Sequence, residues 1–224
     1  MKKLFEQLGI MPKNESLYDK AFIHTSYSYE HKLDYSYEKL EFLGDAIVDL
    51  VVSDYLYNNK NLDEGMMTKM RASYVCENAL YEYASDLDLG DYIKLGNGEK
   101  GSGGAHKKAI LADVFEALMA TIYLDLGYDA VKKVALKIIV PYIENENILL
   151  FSDYKSRLQE VVQDVQKDLK YNLISEEGPA HNKKFTVNVS IDDIIYGEGI
   201  GHSKKEAEQE AAKNALKKLA KDKK

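Results

Sequence analysis

Cysteine is nearly absent: Cys76 stands alone in 224 residues. It permits no intrachain disulfide and no cysteine-based zinc site, which agrees with a reducing compartment. Long apolar runs are missing too. The stretches ending at Val52 and Val140 are broken by charges well short of the ~18 residues that a membrane span needs. Met1-Lys2-Lys3-Leu4-Phe5-Glu6 does not lead into a signal-peptide core. The expectation is a cytoplasmic protein with no membrane partner. An excess of positive charge is also lacking, since 30 Lys+Arg face 37 Asp+Glu for a net −7, which by itself argues against a nucleic-acid binder, so the distribution matters more than the sum.

The charge is unevenly distributed. Residues 152–224 hold 14 basic and 13 acidic side chains, leaving 16 basic against 24 acidic, a net −8, in residues 1–151. The acidity belongs to the first part. Either a carboxylate-rich, metal-loaded site or surface acids that favour solubility would produce it.

A hydrophobic content of 45% supports a real core. From Leu17 to about Leu150 apolar residues recur at three and four spacing, which predicts helices over Ala21–His24, Tyr37–Asn58, Met66–Leu87, Ala109–Leu126 and Ala130–Glu144. Pro141 predicts a kink or an early stop in the last of these. After Glu144 the pattern changes. A helix over Asp153–Val165 is followed by strands over Tyr171–Glu176, Lys184–Ser190 and Ile194–Ile200, with turns at Gly178-Pro179 and Asp192-Asp193. Ser203-Lys204-Lys205-Glu206 has the form of a capping box. It opens a final helix whose Ala207, Ala211, Ala212 and Ala215 can lie close on a sheet. The second part therefore reads α-β-β-β-α.

The organising stretch is Glu38-Lys39-Leu40-Glu41-Phe42-Leu43-Gly44-Asp45. At about 100° per helical residue, Glu38, Glu41 and Asp45 fall within an arc of about 60°, with Leu40, Leu43, Ile47, Leu50 and Val51 on the far side. Phe42, Val48 and Val52 flank the acids, so the helix is apolar nearly all round and its carboxylates need cations. A second pair, Asp113 and Glu116, shares a face in Ile110-Leu111-Ala112-Asp113-Val114-Phe115-Glu116-Ala117-Leu118. Packed together, the two helices would set Glu41, Asp45, Asp113 and Glu116 around one cluster. Hard oxygen ligands favour Mg²⁺ or Mn²⁺ over zinc, and such a site suits phosphodiester hydrolysis. Ordinary helix-surface acids remain the alternative from the residues alone. Asp49, one turn past Asp45, either extends the acidic face or is a solvated or helix-paired acid.

Tyr37-Glu38-Lys39-Leu40-Glu41-Phe42-Leu43-Gly44-Asp45-Ala46 closely resembles the signature of the bacterial ribonuclease III family, and Ile110 to Leu118 resembles its second acidic motif. His24-Thr25-Ser26-Tyr27, Asp63-Glu64-Gly65, Arg71-Ala72 and Lys100 to Gly104 add to the likeness. The end of the chain, from Gly199 through Ser203-Lys204-Lys205-Glu206 to Glu208, is similar to a double-stranded-RNA-binding domain. The resemblance implies an all-α nuclease domain with the ribonuclease III-like helical fold over residues 1–148, a joint over 149–152, and an α+β double-stranded-RNA-binding domain over 153–224. It also implies a homodimeric, Mg²⁺-dependent endonuclease (Mn²⁺ a possible substitute) that cuts double-stranded RNA for RNA processing and maturation. The products would be 5′-phosphates, 3′-hydroxyls and short 3′ overhangs, each subunit cutting one strand.

By position the resemblance makes Glu41, Asp45, Asp113 and Glu116 metal ligands, with Asp45 and Glu116 catalytic and Glu116 mattering most for turnover. Glu38 and Glu64 become supporting acids. The signature helix lies at the family's dimer interface, which places Phe42 against the partner; ordinary core packing is the other reading of Phe42. Tyr37 and Lys39 depart from the Asn and Arg most common beside Glu38. In the second domain Gln159 and Glu160 could reach a minor groove of duplex RNA, Pro179-Ala180-His181 the next one, and Lys204 and Lys205 the phosphates between. Plain solvated surface is the alternative for the lysines and His181. The glycine-rich segment from Gly96 to Gly104 lacks the Gly-Lys-Ser or Gly-Lys-Thr of a phosphate loop. It reads as a flexible connector, or as a carrier of Lys107 or Lys108 to an RNA phosphate. His24 reads as a packing or hydrogen-bonding residue. Two rival readings stand beside the nuclease: a noncatalytic binder of double-stranded RNA, and a helical hydrolase for another phosphoester. The first would be free to lose its six acids and the second would leave the carboxy-terminal domain unexplained.

Overall fold

A computed structural model describes residues 1–144, 154–163, 166–179 and 183–222. The chain forms two compact units, Met1–Phe151 and Ser152–Lys224. The expected joint over 149–152, His181 with its neighbour Ala180, and the side chain of Glu160 lie outside the described residues.

The first unit is helical: α1 Lys2–Leu8, α2 Glu15–Ala21, α3 Thr25–Glu30, α4 Glu38–Asn59, α5 Glu64–Tyr74, α6 Glu77–Asp86, α7 Asn97–Gly101, α8 Lys108–Leu126 and α9 Tyr128–Glu144. Helix α8 runs through its centre, packed against α2, α4, α6 and α9. Its sequence explains the placement. From Ile110 to Ile122 it is apolar on every side apart from two acids and Thr121, and a helix without a polar stripe belongs inside. Thr121 satisfies its hydroxyl by donating to the Ala117 carbonyl at 2.9 Å.

Several local expectations change. Ala21–His24 is not a helix, because α2 ends at Ala21 and Ile23 forms a parallel bridge with Lys94. The Lys94 N–H donates to the Phe22 carbonyl (2.7 Å) and the His24 N–H to the Lys94 carbonyl (3.1 Å). His24 then caps α3, its Nδ1 accepting from the Ser26 N–H at 3.1 Å. Met66–Leu87 is two helices, α5 and α6, with the chain turning at Val75 and Cys76. Asp63 caps the first by accepting from the Met66 N–H at 2.8 Å. Pro141 does not stop α9, which continues to Glu144. The glycine-rich segment is not an open connector either. It holds α7 and a 3₁₀ turn at Gly104–His106.

The second unit has α10 Tyr154–Gln163, β1 Leu169–Glu177, β2 Lys184–Ile191, β3 Ile194–Gly201 and α11 Lys204–Asp222, with an antiparallel sheet in the order β1-β2-β3. Leu158 and Val162 of α10, Val187, Val189 and Ile191 of β2, and Ala207, Ala211 and Ala215 of α11 form its core. Helix α11 lies unusually close to β3. A β-carbon added to Gly197 would meet the Ala211 carbonyl oxygen at 2.2 Å, and one added to Gly199 would meet the Ala211 nitrogen at 2.2 Å. The helix starts with a cap close to the one the sequence implies: Ser203 Oγ accepts from the Glu206 N–H (3.2 Å) and Glu206 Oε2 from the His202 N–H (2.7 Å).

Candidate active site

The site begins with a missing side chain. A β-carbon on Gly44 would lie 1.9 Å from the carbonyl oxygen of Glu116, so α4 and α8 cross backbone against backbone at this point. Glu41 and Asp45 flank Gly44 on α4, and Asp113 and Glu116 occupy the facing turn of α8. Within the run from Ile110 to Ile122, Asp113 and Glu116 are the two residues that reach solvent, the others being buried. Burial of everything around them fixes where the carboxylates must emerge.

The charges feel one another. Burial pushes Glu116 up to about 8, helped by the negative charges of Asp45, Glu41, Asp113 and Asp49. Glu41 is raised by burial and then by Asp113, Glu38 and Asp45. Asp113 is raised by burial, opposed by a hydrogen bond from Tyr37, and raised further by Glu77. That bond runs from the Tyr37 hydroxyl to Asp113 Oδ2 at 3.2 Å. Burial and the neighbouring carboxylates hold the hydroxyl well above the usual phenol range. The four expected ligands therefore share one field.

They are a hard oxygen donor set with neither His nor Cys, and such a set fits Mg²⁺ or Mn²⁺ in its chemistry. Their mutual repulsion, visible in Glu116 and Glu41, is what a bound cation would relieve. Among the described residues no three Asp, Glu, His or Cys side chains are drawn close enough to enclose an ion by themselves. The donors share the α4–α8 crossing without forming a closed shell.

The other expected residues fall in different places. Glu38 is exposed at the edge of the acid cluster. Its Oε2 accepts from Ser36 Oγ at 3.2 Å, and its charge raises Glu41 and Asp113. Glu64 is not brought to the cluster within the chain. It accepts from Thr68 Oγ1 at 3.2 Å and lines a separate cavity of about 410 Å³ with Leu50, Ser53, Tyr57, Met67 and Arg71. Phe42 is 83% exposed, so it is not core, and Leu50, expected on the core face, is also exposed. Lys107 is tied to Glu99 at 2.6 Å, and Lys108 donates to Asn78 Oδ1 at 2.8 Å, so both are engaged within the fold. In the second unit Gln159, Pro179, Lys204 and Lys205 are exposed.

Asp49 adds its charge to Glu116, which favours the reading of it as an extension of the acidic face. Sequence reading missed two other members of the site. Glu77 acts on Asp113 and Tyr37 donates to it, contacts between elements far apart in sequence that no local pattern records.

An acid-lined crossing of two core helices, followed by an α-β-β-β-α unit, defines a helical nuclease fold joined to an RNA-binding fold. The comparisons agree. A family model described as Ribonuclease-III-like matches residues 14–143, and one described as Double-stranded RNA binding motif matches residues 154–219. Curated proteins named Ribonuclease 3 are similar along nearly the whole chain. The one from Aster yellows witches'-broom phytoplasma (strain AYWB) is 47% identical over 221 residues, 98% of this chain and 92% of that protein. The one from Oceanobacillus iheyensis is 47% identical over 221 residues, 96% of each. Among solved structures, a nuclease domain of ribonuclease III from Campylobacter jejuni superposes with a TM-score of 0.58 at 38% identity, covering 62% of this chain and 96% of that one. Its description concerns structural flexibility in a region involved in dimer formation. The chain belongs to the ribonuclease III family, endoribonucleases whose nuclease domain and double-stranded-RNA-binding motif are both present here. No described helix is long and apolar enough to cross a membrane.

Proposed function

We propose that this chain cuts double-stranded RNA as a homodimer in a Mg²⁺-dependent reaction. The products carry 5′-phosphate and 3′-hydroxyl ends with short 3′ overhangs, and the activity serves RNA processing and maturation in the cytoplasm. The supporting observation is the Gly44–Glu116 crossing, which commits Glu41, Asp45, Asp113 and Glu116 to a single acidic cleft.

Those four carboxylates would hold the ion. When bound, Mg²⁺ supplies a lowered pKa for a water molecule and neutralises charge on the phosphate oxygens. The chain's own residues do the rest. Glu116, whose carboxyl is pushed up to about 8, is half-buried, while Asp45 is exposed and could meet a substrate. Tyr37 donates to Asp113, and Glu38, exposed beside the cluster, accepts from Ser36 and would be a supporting acid.

The dimer would form around α4. Phe42 projects into solvent, and the cavity beside Leu50, Tyr57, Met67 and Arg71 offers it an apolar receptor on a second copy. A two-fold interface would use each element twice. Glu64 lines that same cavity, so dimerisation would put it next to the partner's signature helix rather than its own acid cluster. The second unit would grip the duplex through Gln159, Glu160, the Pro179–His181 loop, and Lys204 and Lys205, reading A-form shape more than sequence.

Incubating the full chain with an end-labelled duplex, with and without Mg²⁺, tests the proposal. Paired cuts on both strands, staggered and bearing 5′-phosphates only when Mg²⁺ is present, are expected. Cutting of single strands alone, or cutting in chelator, contradicts it.

A further inference from the structure

Among the four carboxylates of the cleft, Asp113 is treated differently. Among the described residues it alone accepts a hydrogen bond from a side chain, and the donor is Tyr37 Oη at 3.2 Å from Oδ2. Among the described residues the carboxylates of Glu41, Asp45 and Glu116 have no such donor. One member of the set is held by a side chain in a way the other three are not.

The donor is itself held. Tyr37 is 3% exposed. Its backbone N–H donates to the Ile23 carbonyl at 2.9 Å, and Ile23 is locked by its bridge to Lys94. Its ring lies 5.7 Å from the ring of His24, which is anchored in turn as the cap of α3. Its position at the start of α4, one residue before Glu38, ties the hydroxyl to the acidic helix while it reaches across to α8. The clamp leaves the phenol little freedom, and a rigid neutral donor can hold a carboxylate without adding charge to the site.

We propose that Tyr37 is a positioning residue for the metal centre: its hydroxyl fixes Asp113 by Oδ2 so that Oδ1 is presented to the ion. The proposal rests on the reading of Asp113 as a metal ligand. Donors one step behind a ligand set the ligand's orientation, and removing one typically costs about tenfold or more in metal affinity. Without the hydroxyl, Asp113 would lose its one hydrogen-bond donor among the described residues and keep only the attraction of His24 against the repulsion of Glu77 and Glu38.

The test is a mutant cycle on the full chain with Tyr37→Phe, Asp113→Asn and the double variant. Mn²⁺ binding is read by calorimetry without RNA, and the Mg²⁺ concentration for half-maximal cleavage is read alongside. Phe keeps the buried ring, so folding should survive, and a far-UV circular dichroism spectrum checks it. Tyr37→Phe is expected to weaken Mn²⁺ about tenfold, to raise the half-maximal Mg²⁺ by a similar factor, and to add nothing further once Asp113→Asn is present. Wild-type Mn²⁺ affinity in Tyr37→Phe overturns the proposal. So do losses that multiply in the double variant, since Tyr37 would then act elsewhere. Wild-type Mn²⁺ affinity in Asp113→Asn overturns the ligand reading itself, and the proposal falls with it.

Discussion

The α-carbon of Gly44 faces the backbone of Glu116 so closely that a β-carbon there would lie 1.9 Å from the Glu116 carbonyl oxygen, 2.4 Å from its carbonyl carbon and 2.9 Å from its Cα. None of these atoms belongs to a flexible side-chain end, so nothing cheap can give way. The contact decides how far the two pairs of acids stand apart. A sequence with Ala at this point would keep every carboxylate and still lose the geometry.

Gly44→Ala is therefore expected to force α4 and α8 apart. Overpacking between two core helices costs about 1–3 kcal/mol, and the loss should appear as a lower denaturant midpoint together with reduced cleavage. A Gly44→Ala chain with wild-type stability would show that the crossing is not tight.

Protonation gives a second prediction, for the metal-free protein. Glu116 holds its proton to about 8 in the folded chain against 4.5 as the ordinary value. A carboxyl raised on folding stabilises the fold below its unfolded pKa, and that stabilisation is lost as pH rises through the folded value. The window is thus about pH 4.5 to 8. Thermal unfolding in chelator should show wild type losing stability across it relative to Glu116→Gln. The variant should be the more stable by on the order of 1–2 kcal/mol at pH 8, the half-exposed site screening part of the repulsion. Parallel curves for the two proteins would contradict this.

Phe42→Asp should shift the protein from dimer to monomer in sedimentation at micromolar concentration, because a charge would have to be buried at the proposed interface. An unchanged dimer would move the interface elsewhere.

Replacing Lys204 and Lys205 together by Ala should weaken duplex binding and lower the slope of log affinity against log salt by roughly two units at most. An unchanged slope would exclude these lysines as phosphate contacts.

Much of this was legible in the sequence because the signals were local. The periodic acids on α4 and α8, the strand alternation and the cap at Ser203 all follow from spacing along one element, and each element formed close to where it was expected. The misses share a cause. Ile23 pairs with Lys94, Tyr37 reaches Asp113, and Glu77 acts on Asp113 across distances in sequence that periodicity does not see. Leu50, expected on the core face, is exposed for a related reason, and Phe42 is left with the interface reading rather than the core one. Hydrophobic spacing marks a face as apolar but not whether its own core or a second surface covers it. Gly44 belongs to the signature stretch, yet only the crossing shows why glycine stands there.

The most direct test of the acidic cleft is the Glu116→Gln chain assayed on labelled duplex RNA in Mg²⁺, with binding and cleavage measured side by side. The substitution keeps size and removes the charge, so the account predicts duplex binding close to wild type and cleavage abolished. Cleavage at the wild-type rate would contradict it.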